Sequence, residues 1–167
     1  QRHAGQMKNP PSAAPVVAEN VPDNNTPIVI IDKDKEQTSS VVQMMMKRDA
    51  TPDSVKGEVD YMVYEYVKGV GIGLLNDRLA EAALKPDCPF VGASASVENY
   101  IFAKTKEAFS IAVSPKTTEL TADALRAAYI EALRAAQFGF TKTEYDRSKS
   151  STLSSLDRMY SNREKRF

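Results

Sequence analysis

The run "VKGVGIGLLNDRLAEAAL", residues 67 to 84, places Gly69, Gly71 and Gly73 close together. Glycines so spaced suggest a loop whose backbone N–H groups cradle a phosphate. Such a loop needs a strand before it and a helix opening on it. Here the glycines follow a helical apolar pattern, their spacing is G-x-G-x-G rather than G-x-G-x-x-G, and no Gly-Lys-Ser/Thr follows. The run is therefore expected to let a neighbouring element pack closely or to mark a kink, with valine at Gly71 overpacking that contact. A zinc site needs three or four histidine, cysteine or carboxylate ligands. The one histidine, His3, lies in a proline-rich leader, so no conventional zinc site is expected from this chain alone. Asp32-Lys-Asp-Lys-Glu36 begins like a calcium loop, but its lysines repel a cation and Gln37 replaces the required glycine. It reads as a solvated turn. Gly92-Ala-Ser94-Ala-Ser96 is one residue from the G-x-S-x-G nucleophile elbow, yet it falls within a strand pattern with no histidine nearby. Asp77 and Glu81, four apart on a helix, read as a solvated face. Cys88, the single cysteine, reads as a small buried hydrophobe beside Pro89 and Phe90.

The elements that would position these residues follow from periodicity. Pro27-Ile-Val-Ile-Ile31 and Ser40-Val-Val-Gln-Met-Met-Met46 are strand-length runs, expected to pair antiparallel across the charged stretch between them. Asp53 or Ser54 is placed to cap a helix whose Val55, Val59, Met62, Val63, Tyr66, Val67 and Val70 form one apolar face. The helix resumes through Leu74, Leu75, Leu79 and Leu84, and Pro86-Asp-Cys-Pro89 stops it. Residues 90–102 and 107–113 read as a hairpin turning at residues 103–106. In its second strand Phe109, Ile111 and Val113 alternate with Ser110 and Ala112. Thr121 is expected to cap a helix carrying Leu125, Tyr129, Ala132, Leu133 and Ala136 on one stripe, with Gly139 at its left-handed end. Thr141-Lys-Thr-Glu144 is a capping box opening a last helix through Tyr145, Leu153, Leu156 and Tyr160. The order β-β-α-β-β-α-α predicts an α+β fold, a mainly antiparallel sheet packed against helices.

With 167 residues, 42% hydrophobic and 26% charged, the chain has the size and balance of one globular domain. Lysine plus arginine and aspartate plus glutamate number 22 each, so the net field recruits neither nucleic acid nor an anionic membrane. No apolar run approaches the roughly 20 residues that span a bilayer. The start lacks the apolar stretch of a signal peptide, and the charged end, Arg163 to Phe167, carries no stop signal. A mature or excised segment is expected, with residues 1–22 a leader and interdomain linker and 23–167 a single α+β domain truncated at its C-terminus.

In order along the chain, "TPIVIIDKDKEQTSSVVQMMMKRD", "LLNDRLAEAALKPDCPFVGASASVENYIFAKTKEAFSIAVSPK" and "FTKTEYDRSKSSTLSSL" resemble the second domain of the insulinase or pitrilysin family of zinc peptidases, in its bacterial cell-envelope branch. The resemblance implies repeated α+β domains closing around a peptide chamber. The family's first domain carries H-x-x-E-H and its zinc; this sequence has no such motif, so no catalytic, cofactor or metal residue carries over. Some relatives place an arginine and, seven residues on, a tyrosine in their fourth domain. Arg78 matches the first, but Lys85 stands at the second position. Arg78 is thus expected in a structural ion pair or the chamber wall, and Ser110 on a small-residue face toward a polypeptide substrate or another domain. The resemblance implies a periplasmic or cell-envelope setting, neighbouring peptidase domains as partners, and zinc in the parent's catalytic domain. A free-standing inactive partner subunit of the same fold is the alternative.

Overall fold

The computed structural model describes Ser12, Pro15 and residues 17–99 and 103–163. His3, the strand expectation over residues 100–102 and the chain end after Arg163 lie outside them. Three strands and three long helices follow in order: β1 (Val42–Asp49), α1 (Val59–Ala83), β2 (Phe90–Asn99), β3 (Lys106–Pro115), α2 (Thr121–Phe138) and α3 (Lys142–Ser161). Short 3-10 turns at Asp53–Val55 and Thr118–Leu120 precede α1 and α2. The sheet order is β1-β3-β2, antiparallel throughout, with α1 and α2 packed on it and α3 against α1, so the α+β expectation holds.

The hairpin of β2 and β3 forms as the alternation predicts, with Ala95 opposite Ile111 and Ser96 opposite Ser110. Ile111 and Val113 enter the core with Leu75, Leu79, Cys88, Phe90, Ala124 and Ala128, and Phe109 packs against it partly buried. Small alanines on α2 let that helix approach the sheet. At the helix boundaries Gly139 adopts φ 69°, the positive value that glycine takes without strain. Thr141 and Glu144 form the full capping box of α3.

Three expectations are corrected. Residues 27–31 form no strand with β1; β1 pairs with β3 along one edge, Met44 opposite Ile111, which sets Val42 and Met44 against the helix-covered core, and its other edge has no strand partner among the described residues. Thr121 and Asp53 or Ser54 are not the helix caps. Thr121 is the first residue of α2 and closes the preceding turn by donating to the Thr118 carbonyl at 2.7 Å, while Glu58 precedes α1 without a side-chain cap bond.

The third correction concerns α1. It runs unbroken through Gly69, Gly71 and Gly73, and an added Cβ at any of the three meets nothing within 4 Å. No close packing explains them. Nor is the predicted apolar face buried: Val59, Met62, Val63, Tyr66 and Val67 are 55–72% exposed, and the helix meets the core through its second half, at Leu74, Leu75 and Leu79 with Ala82 and Ala83 packed against it. With space available and a helical backbone already set, Gly71→Ala is expected to raise stability by up to about 1 kcal/mol. A urea melt checks this; a lowered midpoint would show that the backbone there needs glycine.

Candidate functional site

Arg78, on the buried-side turn of α1, reaches the junction between α2 and α3. Its Nε and Nη2 donate to the two Glu144 carboxylate oxygens at 2.5 and 2.9 Å, and Nη2 also donates to the Gly139 carbonyl at 2.9 Å. The guanidinium lies 4.6 Å from the Phe140 ring centroid. Both charged side chains are only 17% exposed. The planar fork of arginine suits this two-pronged pairing. Glu144 simultaneously accepts from the Thr141 backbone N–H at 2.6 Å, so one carboxylate both caps α3 and fastens it to α1. The Arg78 hydrogen bond first, then the Thr141 bond, pull the Glu144 pKa down from 4.5 to about 2. A second pair, Arg147 with Glu81 at 2.7 Å, extends the α1–α3 contact, while Asp77 is not drawn to it.

Ser110 sits in the central strand opposite Met45 on one side and Ser96 on the other, on the sheet face opposite Ile111. Its flank is small: Ala108 and Ala112 on β3, Ser94 and Ser96 on β2. Ser110 is 1% exposed, and its hydroxyl is buried with no partner among the described residues. Neighbouring side chains shade a short one in a middle strand. An orphaned buried hydroxyl costs free energy. Ser110→Ala is therefore expected to leave stability unchanged or raise it by about 1 kcal/mol, read from the urea midpoint; a clear loss would mean that the hydroxyl has a partner.

Two clefts flank α1. One, about 330 Å³, is apolar and opens between α1, α2 and the sheet, with Gly71, Phe109, Tyr129, Leu133 and Phe140 on its walls. Gly71, with no side chain, leaves that wall low. The other, about 560 Å³, lies between the end of β1 and the start of α1. There Arg48 bridges Glu107 at 2.6 Å and donates to the Tyr64 hydroxyl at 3.0 Å, with Asp49, Glu58 and Asp60 on the rim. Glu107 is buried. The Tyr64 bond and then the Glu107 charge raise the Arg48 pKa above its ordinary value. This cluster escaped the sequence reading because Arg48 and Glu107 meet through the β1–β3 register; the consecutive charges Lys47, Arg48 and Asp49 at the end of β1 were the available signal.

No group of three or more histidine, cysteine or carboxylate side chains gathers among the described residues in a way that would hold a metal ion, and the described residues beside Ser94, Ser96 and Ser110 include no histidine. The zinc of the resembled family does not fit this residue set. No described helix is long and apolar enough to cross a membrane.

No protein-family model matches the sequence, and no curated protein matches it. Solved structures do. The periplasmic protease PqqL from Escherichia coli superposes with a TM-score of 0.65 at 19% identity, covering 80% of this chain and 14% of PqqL. The separately determined first half of PqqL matches equally, with a TM-score of 0.65, 19% identity and 80% of this chain, covering 28% of that half. The likeness establishes a shared fold. The chain spans about one seventh of the length of the PqqL structure.

Proposed function

We propose that this chain is a non-catalytic domain of a zinc-dependent metallopeptidase of the insulinase or pitrilysin type, set in the second-domain position and lining the chamber in which a polypeptide substrate is cut. The observation that carries the reading is the correspondence of its fold to a segment within the first half of a periplasmic protease. The missing H-x-x-E-H supports a non-catalytic part, since hydrolysis by this chemistry needs both histidines and the glutamate. Arg78 then serves as the clamp that fixes α3 to the sheet-packed body, and the small-residue face around Ser110 as wall. A cell-envelope location follows by analogy with PqqL. The exposed apolar face of α1 favours a second reading, an inactive partner subunit of the same fold that completes a peptidase in trans.

Residues 1–167 alone are expected to hold no stoichiometric zinc after dialysis against a chelator and to leave a quenched fluorescent peptide uncut. The complete gene product, or its complex with a zinc-bearing partner, is expected to cut it in a chelator-sensitive way. One tightly held zinc per chain of 167 residues would sink the proposal. So would a complete gene product that neither carries H-x-x-E-H nor binds a protein that does. The position of that motif, in the same polypeptide or in the partner, separates the two readings.

A further inference from the structure

Two unsatisfied features of this chain complement each other without meeting inside it. The first is the run Ile28, Val29, Ile30 and Ile31, exposed at 72–90%, whose backbone groups make no hydrogen bond to any described residue. Four consecutive apolar residues make both faces of a strand apolar, the composition of a strand covered on both sides. The second is the outer edge of β1. In the order β1-β3-β2 one edge of Val42–Asp49 has no strand partner among the described residues, and Met45 and Met46 on that strand are exposed. A free edge and a free apolar run each present the N–H and C=O groups that the other lacks.

The run is anchored on both flanks and presented in the middle. On one side the Lys47 ammonium bonds the Pro22 carbonyl, and the buried Lys106 ammonium donates to Asp23 at 2.8 Å and to Asp49 at 2.6 Å. On the other, Ser40 Oγ lies 2.9 Å from Thr118 Oγ1. Lys106 opens β3 and Thr118 follows its end, so the two anchors sit at opposite ends of the sheet. Between them the apolar residues stay unpaired with their own β1.

We propose that Ile28–Ile31 of one copy adds as a further strand to the β1 edge of a second copy, which returns the same contact. A second copy is the occupant because one chain carries both halves of the contact, and a single twofold operation satisfies both at once. The contact is independent of the peptidase reading: its test uses no catalytic activity, and either can fail alone.

Sedimentation of the 167-residue chain between about 1 and 100 µM is expected to show a dimer, and Ile30→Asp to weaken it at least about tenfold. That variant is expected to leave the thermal melt of the monomer unchanged, because Ile30 is 85% exposed in its own copy. Mild oxidation of Ile30→Cys chains mixed with Met45→Cys chains is expected to give a disulfide between copies. A monomer throughout that range, or a dimer indifferent to Ile30→Asp, overturns the proposal. So does a disulfide that forms within a chain carrying both substitutions but never between chains, since the run would then be a fourth strand of its own sheet.

Discussion

Phe90→Ala is expected to lower the unfolding free energy by roughly 3–5 kcal/mol, the largest loss foreseen for a single side chain here. Phe90 opens β2, is 1% exposed, and packs in one cluster with Leu79, Cys88, Ile111 and Val113. Truncation removes its transfer free energy and leaves a hole lined by residues of α1, the sheet and α2, elements that cannot all close on it together. Its strand neighbour Val91 is exposed on the other face, so Val91→Ala should stay within about 0.5 kcal/mol. Urea melts of the two variants, with unchanged slopes, measure the contrast. Equal losses would mean that β2 is shifted by one residue, since a one-residue slip exchanges the two faces. Phe109, expected from alternation alone to be as central, lines the apolar cleft partly buried and should cost less.

Arg78→Ala is expected to destabilise by roughly 2–4 kcal/mol, because it strips Glu144 of its partner while leaving the carboxylate largely out of water. Arg78→Lys should recover only part of this, since an ammonium cannot span both carboxylate oxygens and the Gly139 carbonyl. The loss carries a pH signature. The folded-state pKa of Glu144 is depressed from 4.5 to about 2, so the stability it contributes is fully present above about pH 4.5 and fades as the pH falls through 2. Wild type and Arg78→Ala should therefore differ most near neutrality and converge between pH 4.5 and 2. Urea midpoints at pH 7 and pH 3 test the pair of statements. A difference that is the same at both would assign the loss to packing on Phe140 rather than to the charge pair.

What the sequence by itself determined is local. The Thr141–Glu144 capping box, the positive φ of Gly139, the proline stop after α1 and the β2–β3 hairpin came through as read, because each depends on residues close in the chain; the half-buried alternation of β3 did not, since both its faces are covered. Where partners lie far apart along the chain, tertiary structure decided. Glu144 is 66 residues from Arg78, and nothing in either segment names the other. The helical period of α1 correctly told which residues share a face, but not that the first turns of that face would stay in water while Leu74, Leu75 and Leu79 were covered. Periodicity records which side chains point together; whether anything stands opposite them depends on where the sheet ends. The same limit shows at β1: Pro27–Ile31 and residues 40–46 are both apolar and close in sequence, yet it is β3, far along the chain, that pairs with β1 and sets Val42 and Met44 over the core, while the other edge of β1 has no strand partner among the described residues.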